Sequence, residues 1–504
     1  MTHTTHRLLW LALLAVCLNV FVAALDLTVM ASVLPQLIVD FQVPLPGGLA
    51  DTAWIVNAYL IAYVVTMPLA GKISDLYGRR IVFVVCLALF AAGSVGAALA
   101  RDVWPMVVAR AVQALGGGAM VPVALAAVSD AVPRRFQALA IGVVAAVDTA
   151  GWVAGSAYGA WITTQFGWPW AFWLNVPIAL LGIVLVMIAL PAGEQRDHRI
   201  DWVGAALLTL ALLTFTTGLY LGAPAGAEGG ALLAEQGAPT ASPFTWPLLA
   251  LALGLAGVFV WWERRAAEPI IPLRLVTDLP FSAAHGVSLL TGMVLMAIMV
   301  EIPVLLQAIS SSVGEAIASS GLLLAIFAGA MMLWALLAGL LERLFSSRLL
   351  TMIGLLLTVL GLWQMAQWQQ STGVGALRGP LALAGSGLGL VTTTIATVVL
   401  ASVVESRRGI AASLLLVARL LGMTLGLSVL VTWALQRYET LIAAAEVPAL
   451  SDPAALERFV ALAAEVMTTV VTDLFRVSTL IAALALLPAL FLVVRRHDPS
   501  ASSG

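Results

Sequence analysis

Fourteen apolar segments, laid almost end to end, decide what this chain can fold into. They run over 8–38, 53–71, 81–100, 104–130, 136–163, 170–191, 201–222, 245–262, 281–308, 316–341, 348–369, 380–403, 409–436 and 468–494, and short polar links join them. A helix that crosses a bilayer needs about 20 predominantly apolar residues, so each segment reads as a membrane span. Only 10% of the residues are charged, against roughly a quarter in soluble proteins. The links at 223–244 and 437–467 are too short to bury a core of their own. An all-α integral membrane protein is expected, with 14 transmembrane helices and no soluble domain.

The basic residues set an orientation, because Lys and Arg near span ends stay on the cytoplasmic side. Of the 24 basic residues, Arg101, Arg378, Arg437 and Arg458 fall in the links on one side, and Arg110, Arg419 and Arg476 fall within helices. The rest lie on the other side, with Arg7, Lys72, Arg79, Arg80, Arg134 and Arg135 leading. Both termini are therefore expected in the cytoplasm of a bacterial cell whose inner membrane holds the chain. Arg7, an apolar stretch and small residues near Ala24 also fit a signal peptide. Because the apolar helix continues past Ala24 without a polar break, no cleavage is expected.

Several chemistries find no support. A phosphate-binding loop needs Gly-x-x-x-x-Gly-Lys-Ser/Thr, whereas the one lysine, Lys72 in AGKISD, lacks that spacing. The glycine cluster ALGGGAM at 114–120 lies inside a span, where close helix packing explains it. His3, His6, His198, His285 and His497 are scattered, so neither a metal nor an enzyme site is expected. Cys17 and Cys86 both sit in spans and suggest no disulfide. A net charge of -2 gives no hint of nucleic acid. Uphill transport by such a chain needs an ion gradient, and no cofactor is expected.

Charges inside the spans are the exceptions that demand a reason. A carboxylate at mid-bilayer costs about 2.5 kcal/mol or more on insertion scales, and such residues face a cavity or each other. Asp26 lies in AALDLTVMASVLP, in a run from Leu8 to Val39 that has no other charge; Arg110, Asp148, Glu301 and Arg419 are the other deep ones. Burial disfavours a charged carboxylate and a nearby arginine favours it, so a carboxylate that alternately meets and leaves an arginine can carry protons. Asp26 and Asp148 are read as such sites, with Arg419 as the partner of Asp148 across the molecule. Static ion pairs that fix helix packing are the competing reading, at nearly even weight for Glu301 and Arg110.

The motifs point to a family. After the second span comes GKISDLYGRR, which resembles the loop motif of the major facilitator superfamily, with Gly71, Asp75, Gly78, Arg79 and Arg80 in place and Leu76 for the usual basic residue. VVARAVQALGGGAMVP is similar to the superfamily's R-x-x-x-G motif. LDLTVMASVLP and WPWAFWLNVP resemble signatures of its fourteen-helix drug:proton antiporter branch. The C-terminal half matches mainly through Gln307 in VLLQ and through LLLVARLLGMTLGLSV at 414–429. In GWVAGSAYGA, Gly151, Gly155 and Gly159 are kept, but Ser156 replaces the proline of the export pattern and removes its bend. The internal repeat is faint, with GLLERLFSSR at 339–348 in the place of GKISDLYGRR.

The resemblance implies a 6+2+6 major facilitator fold. Residues 1–191 would form an N-terminal six-helix bundle, 192–280 two inserted helices with their links, and 281–498 a C-terminal bundle, leaving 499–504 as a disordered tail. It also implies that Asp26 and Arg110 take part in proton coupling. Gly71, Asp75, Gly78 and Arg79 would form a conformational latch, with Asp75 meeting the helix start near Arg408. Asn57, Glu301 and Gln307 are candidates to line a substrate cavity, although helix–helix hydrogen bonds explain the two amides equally well.

A cavity with few charges suits a hydrophobic or amphipathic substrate, either a drug or a membrane lipid such as triacylglycerol. Both sides of the Pro448 to Pro453 break are helix-forming, and a continuous helix from Pro453 to Val494 would be about 60 Å long, twice the hydrocarbon thickness. That extension and Glu301 resemble the lipid-exporting members of the branch; an outer helix lying on the membrane gives the same pattern. The expected function is proton-coupled export by a monomer working among membrane lipids, with an outer-side lipid-carrier protein as a candidate partner. Dedicated lipid export without drug transport, and proton-coupled uptake of a small solute, are the alternatives.

Overall fold

The computed structural model describes residues 3–43, 49–191, 201–222, 243–266, 269–271, 273–310, 313–369, 373–444 and 453–492. The expected tail at 499–504 and the break at Pro448 lie outside them. With no water in hydrocarbon to satisfy backbone amides, each span must satisfy its own, and the described residues are accordingly almost all helical.

In chain order the helices are α1 (His3–Asp40), α2 (Leu49–Tyr77), α3 (Arg79–Ala98), α4 (Val103–Ala131), α5 (Arg134–Phe166), α6 (Pro169–Trp173), α7 (Asn175–Ala189), α8 (Trp202–Gly222), α9 (Thr245–Glu263), α10 (Leu273–Thr277), α11 (Leu279–Ile309), α12 (Val313–Leu341), α13 (Ser347–Met365), α14 (Arg378–Ala401), α15 (Arg408–Ala444), α16 (Pro453–Leu484) and α17 (Leu486–Ala489). Fourteen of these elements, or joined pairs of them, are long and apolar enough to cross a membrane. Six fall before the inserted pair α8 and α9, and six after it.

Two spans expected as single helices are interrupted, and for the same reason. Pro177 has no N–H to offer the carbonyl four residues back, and its ring crowds that carbonyl; the helix stops there, at Trp173, and restarts at Asn175. Pro488 does the same to Leu484, so α16 ends at that residue instead of running on to Val494. Pro68, Pro122 and Pro303 are accommodated within continuous helices.

Small residues let the helices of the N-terminal half approach closely. A Cβ placed on Gly155 of α5 would lie 2.0 Å from Thr28 Oγ1 of α1, so the Gly151, Gly155, Gly159 stripe is a packing seam that runs past Asp26. The inserted pair leans on both halves: Ala205 of α8 and Phe259 of α9 share an apolar cluster with Ile270, Ile271 and Ile410, against which Leu69 of α2 packs. Helices α15 and α16 contain 37 and 32 residues, about 55 and 48 Å at 1.5 Å per residue. They exceed a hydrocarbon core of about 30 Å and stay packed on each other through Leu430, Tyr438, Ile442, Leu462 and Val466.

Candidate functional site

Three groups of charged residues, at different depths, tie this architecture together. The innermost belongs to the N-terminal half alone. Asp26 of α1 and Arg110 of α4 form an ion pair of 2.6 Å, with side chains 0% and 1% exposed. Gln113 and Asn175 each donate to Asp26 Oδ1 at 2.9 Å. Arg110 also donates to Gln113 Oε1 at 2.7 Å, and Gln113 donates to Ser94 Oγ at 2.8 Å. The guanidinium lies 3.9 Å from the centroid of the Tyr59 ring, a cation–π contact. Since a buried charge needs both a counterion and hydrogen bonds for its remaining lone pairs, this shell is what lets a carboxylate remain in the core.

Asn175 was not singled out from the sequence. It occupies the first turn after the break that Pro177 imposes, which is how a residue of α7 comes to reach α1. The WPWAFWLNVP stretch carried the signal, but only as a pattern.

The second group bridges the halves. Arg419 of α15 donates to Asp148 of α5 at 2.9 Å, with side chains 14% and 6% exposed. Arg419 Nε has no partner, so this pair is held by one hydrogen bond where Asp26 has three side-chain donors. Separating the two halves at this depth breaks it, whereas the Asp26 network can move as a body with the N-terminal half.

The third group closes one end of the molecule, here called the latch end. Asp75, at the end of α2, accepts hydrogen bonds from the backbone N–H groups of Gly409 and Ile410, at 2.9 and 3.0 Å. Those donors belong to the first turn of α15, which has no intrahelical acceptors for them, and its dipole favours an anion. Arg79 reaches Asp75 at 2.5 Å and Ser74 Oγ at 2.6 Å. Asp130, at the end of α4, binds Arg79 at 3.2 Å and Arg408 at 2.8 Å. Asp130 and Ser74 were not expected, since nothing in their local sequence marks them.

The two glycines of the loop motif have separate causes. Gly78 has φ of 89°, where an L side chain is strained. Gly71 faces Gly409 so closely that a Cβ on it would lie 2.5 Å from the Gly409 carbonyl oxygen. The faint repeat behaves differently: Glu342 accepts from Ser347 Oγ at 2.6 Å within its own half. Burial pushes its carboxyl up to about 7, against the opposing effect of the hydroxyl donors of Ser347 and Thr397.

The three cavity candidates differ in exposure. Glu301 is 3% exposed and neither of its carboxyl oxygens has a partner. Asn57 is half-buried, with its Oδ1 unpaired. Gln307, in the last turn of α11, is exposed. Among the described residues, no group of three or more His, Cys, Asp or Glu side chains is arranged to hold a metal ion.

Two helical bundles latched at one end, with an ion pair between them among the spans, define the class of a membrane transporter. Residues 16–427 match the model of the Major Facilitator Superfamily, and the chain belongs to that family. It is 34% identical over 435 residues to a triacylglyceride transporter of Mycolicibacterium hassiacum, covering 84% of this chain and 78% of that protein. It is 31% identical over 470 residues to a triacylglyceride transporter of Mycobacterium tuberculosis, covering 90% and 88%. A probable triacylglyceride transporter of Mycobacterium leprae matches at 29% over 97% of each chain. Among solved structures, a proton:xylose symporter superposes with a TM-score of 0.60 at 15% identity, covering 97% of this chain and all of that one. The human organic anion transporter MFSD10 superposes at 0.59 and 16%, covering 95% and all of that chain; both likenesses concern the fold.

Proposed function

We propose that this protein exports a neutral membrane lipid of the triacylglyceride class by proton-coupled alternating access. The observation that carries the coupling is the Asp148–Arg419 pair. A lone ion pair between two bodies that separate must break once per cycle. Without its arginine, a carboxylate in a low-dielectric site takes up a proton, and renewed approach of the arginine expels it. One charge crossing about 100 mV supplies about 2.3 kcal/mol per cycle. Asp26 and Arg110 are assigned to the same proton path, as the store within the N-terminal half. The latch of Gly71, Asp75, Gly78 and Arg79 is assigned to the cytoplasmic side, which puts both termini in the cytoplasm of a bacterial inner-membrane protein.

The lipid reading rests on the names of the relatives and on the long α15–α16 pair, which gives an apolar cargo a protein surface beyond the hydrocarbon. Amphipathic drugs are a second cargo class that suits a cavity with few charges. In vesicles holding the purified protein and labelled triacylglycerol, an imposed pH gradient is expected to speed transfer of the lipid to an acceptor. The Asp148→Asn variant is expected to lose that acceleration. Equal acceleration in the variant would exclude Asp148 from the coupling.

A further inference from the structure

Where α15 and α16 leave the hydrocarbon, at the end remote from the latch, they carry a charged concavity that the transport scheme does not use. Its volume is ≈ 350 Å³, and Trp433, Arg437, Asp473, Arg476 and Val477 line it. Arg437 Nε donates to Asp473 Oδ2 at 3.2 Å, and Arg476 Nη1 donates to Asp473 Oδ1 at 2.7 Å. One carboxylate thus holds two guanidiniums, which leaves one positive charge over. Of these two ion pairs, only Arg437–Asp473 ties α15 to α16. Arg476, one turn along from Asp473 and 59% exposed in its side chain, adds nothing to that tie and turns its remaining donors outward.

The depth of the concavity is set by helix length. From Arg408, in the latch, to Arg437 there are 29 steps along α15, about 43 Å at 1.5 Å each. A bilayer with its headgroups is about 40–45 Å thick, so the two arginines sit at headgroup level, with Trp433 one turn deeper, where such rings are enriched. Below Arg476, Leu480 and Leu484 on the same face of α16 and Leu487 of α17 are 70%, 51% and 58% exposed, and below Arg437 on α15 Val429 is 54% exposed. An apolar track therefore runs from the guanidiniums into the bilayer. Guanidiniums at one end select a phosphate, which they bind through paired N–H donors; the leucines select acyl chains.

We propose that this concavity binds an anionic phospholipid of the outer leaflet, with its phosphate between Arg437 and Arg476 and a chain along Leu480, Leu484 and Leu487. The ligand is distinct from the cargo proposed above, because an uncharged triacylglyceride offers the guanidiniums no counterion, and of the proposed function the assignment uses only the orientation, with the latch end cytoplasmic. Protein purified from membranes containing phosphatidylglycerol and phosphatidylcholine is expected to retain the first over the second, by at least fivefold relative to the bulk ratio, when bound lipid is counted by mass spectrometry. The R437Q/R476Q variant is expected to retain the bulk ratio. Folded Asp473→Asn is expected to exceed the wild type, since both guanidiniums are then free for the phosphate, and R437K/R476K, which keeps the charges, is expected to retain a preference. Unchanged enrichment in R437Q/R476Q, or a folded Asp473→Asn that retains less than the wild type, would overturn the assignment. So would inorganic phosphate that displaces labelled phosphatidylglycerol as effectively, mole for mole, as the unlabelled lipid does.

Discussion

Substituting Asp75 by Asn keeps the shape of the side chain and removes its charge. Two backbone N–H bonds from the start of α15, at 2.9 and 3.0 Å, then lose a charged acceptor, and Arg79 loses its nearest anion. Hydrogen bonds to charged groups contribute about 1.5–3 kcal/mol against about 1 for neutral ones, and the helix terminus adds a few tenths to 1. Because Asn still offers one oxygen, we take the net loss as about 2–3 kcal/mol. At 1.4 kcal/mol per decade, this raises the unlatched population about 30- to 150-fold.

Ser413 provides the readout, since it is 0% exposed and a Cβ on Gly71 would meet its hydroxyl. With Cys17 and Cys86 replaced by serine, a cysteine substituted for Ser413 reacts with a maleimide only when the latch opens. Its labelling rate therefore follows the unlatched fraction, and it is expected to rise about 30- to 150-fold in Asp75→Asn. A change of less than about threefold, in a variant that melts like its parent, would refute the view that this carboxylate holds the two halves together.

Breaking the Asp26–Arg110 pair by Asp26→Asn leaves a buried guanidinium without a counterion, for an expected loss of about 3–5 kcal/mol of stability. The double variant D26N/R110Q is expected to recover part of that loss, as measured by thermal unfolding in detergent. Glu301→Gln removes a carboxyl that has no partner and is expected to fall within about 1 kcal/mol of wild type. For Glu342, the carboxyl is raised from 4.5 to about 7 in the folded protein, so between those values the folded state binds more protons than the unfolded one. Its contribution to stability is present below pH 4.5 and is lost as pH rises through 7. Melting temperatures from pH 4 to 8 are expected to show Glu342→Gln losing that part of the decline, and parallel curves would contradict it.

The sequence is most informative where membrane physics punishes exceptions. Spans are legible because hydrocarbon demands long apolar runs, and Asp26, Arg110, Asp148 and Arg419 are legible because few charges survive there. The loop motif marks Gly71, Asp75, Gly78 and Arg79 through chain conformation, since Gly78 needs a positive φ and Gly71 needs room. Asn175 and Asp130 are not legible in the same way: each matters through a partner many residues distant, and polar residues at span ends are common. Likewise, Arg437, Arg476 and Asp473 look like ordinary link and helix charges until two helices are laid side by side. The interruptions at Trp173 and Leu484 were within reach, because each lies four residues before a proline. Prolines that leave their helices continuous, such as Pro68, Pro122 and Pro303, explain why that signal alone does not decide.

The proposed coupling requires Asp148 to change its protonation as Arg419 comes and goes. Proton release or uptake can be measured with a pH indicator dye at neutral pH as the purified protein is driven between its latched state and the unlatched state favoured by Asp75→Asn. A proton count that depends on the latch is expected in the parent, and it is expected to fall by about one in Asp148→Asn. An identical count with and without the Asp148 carboxyl would contradict it.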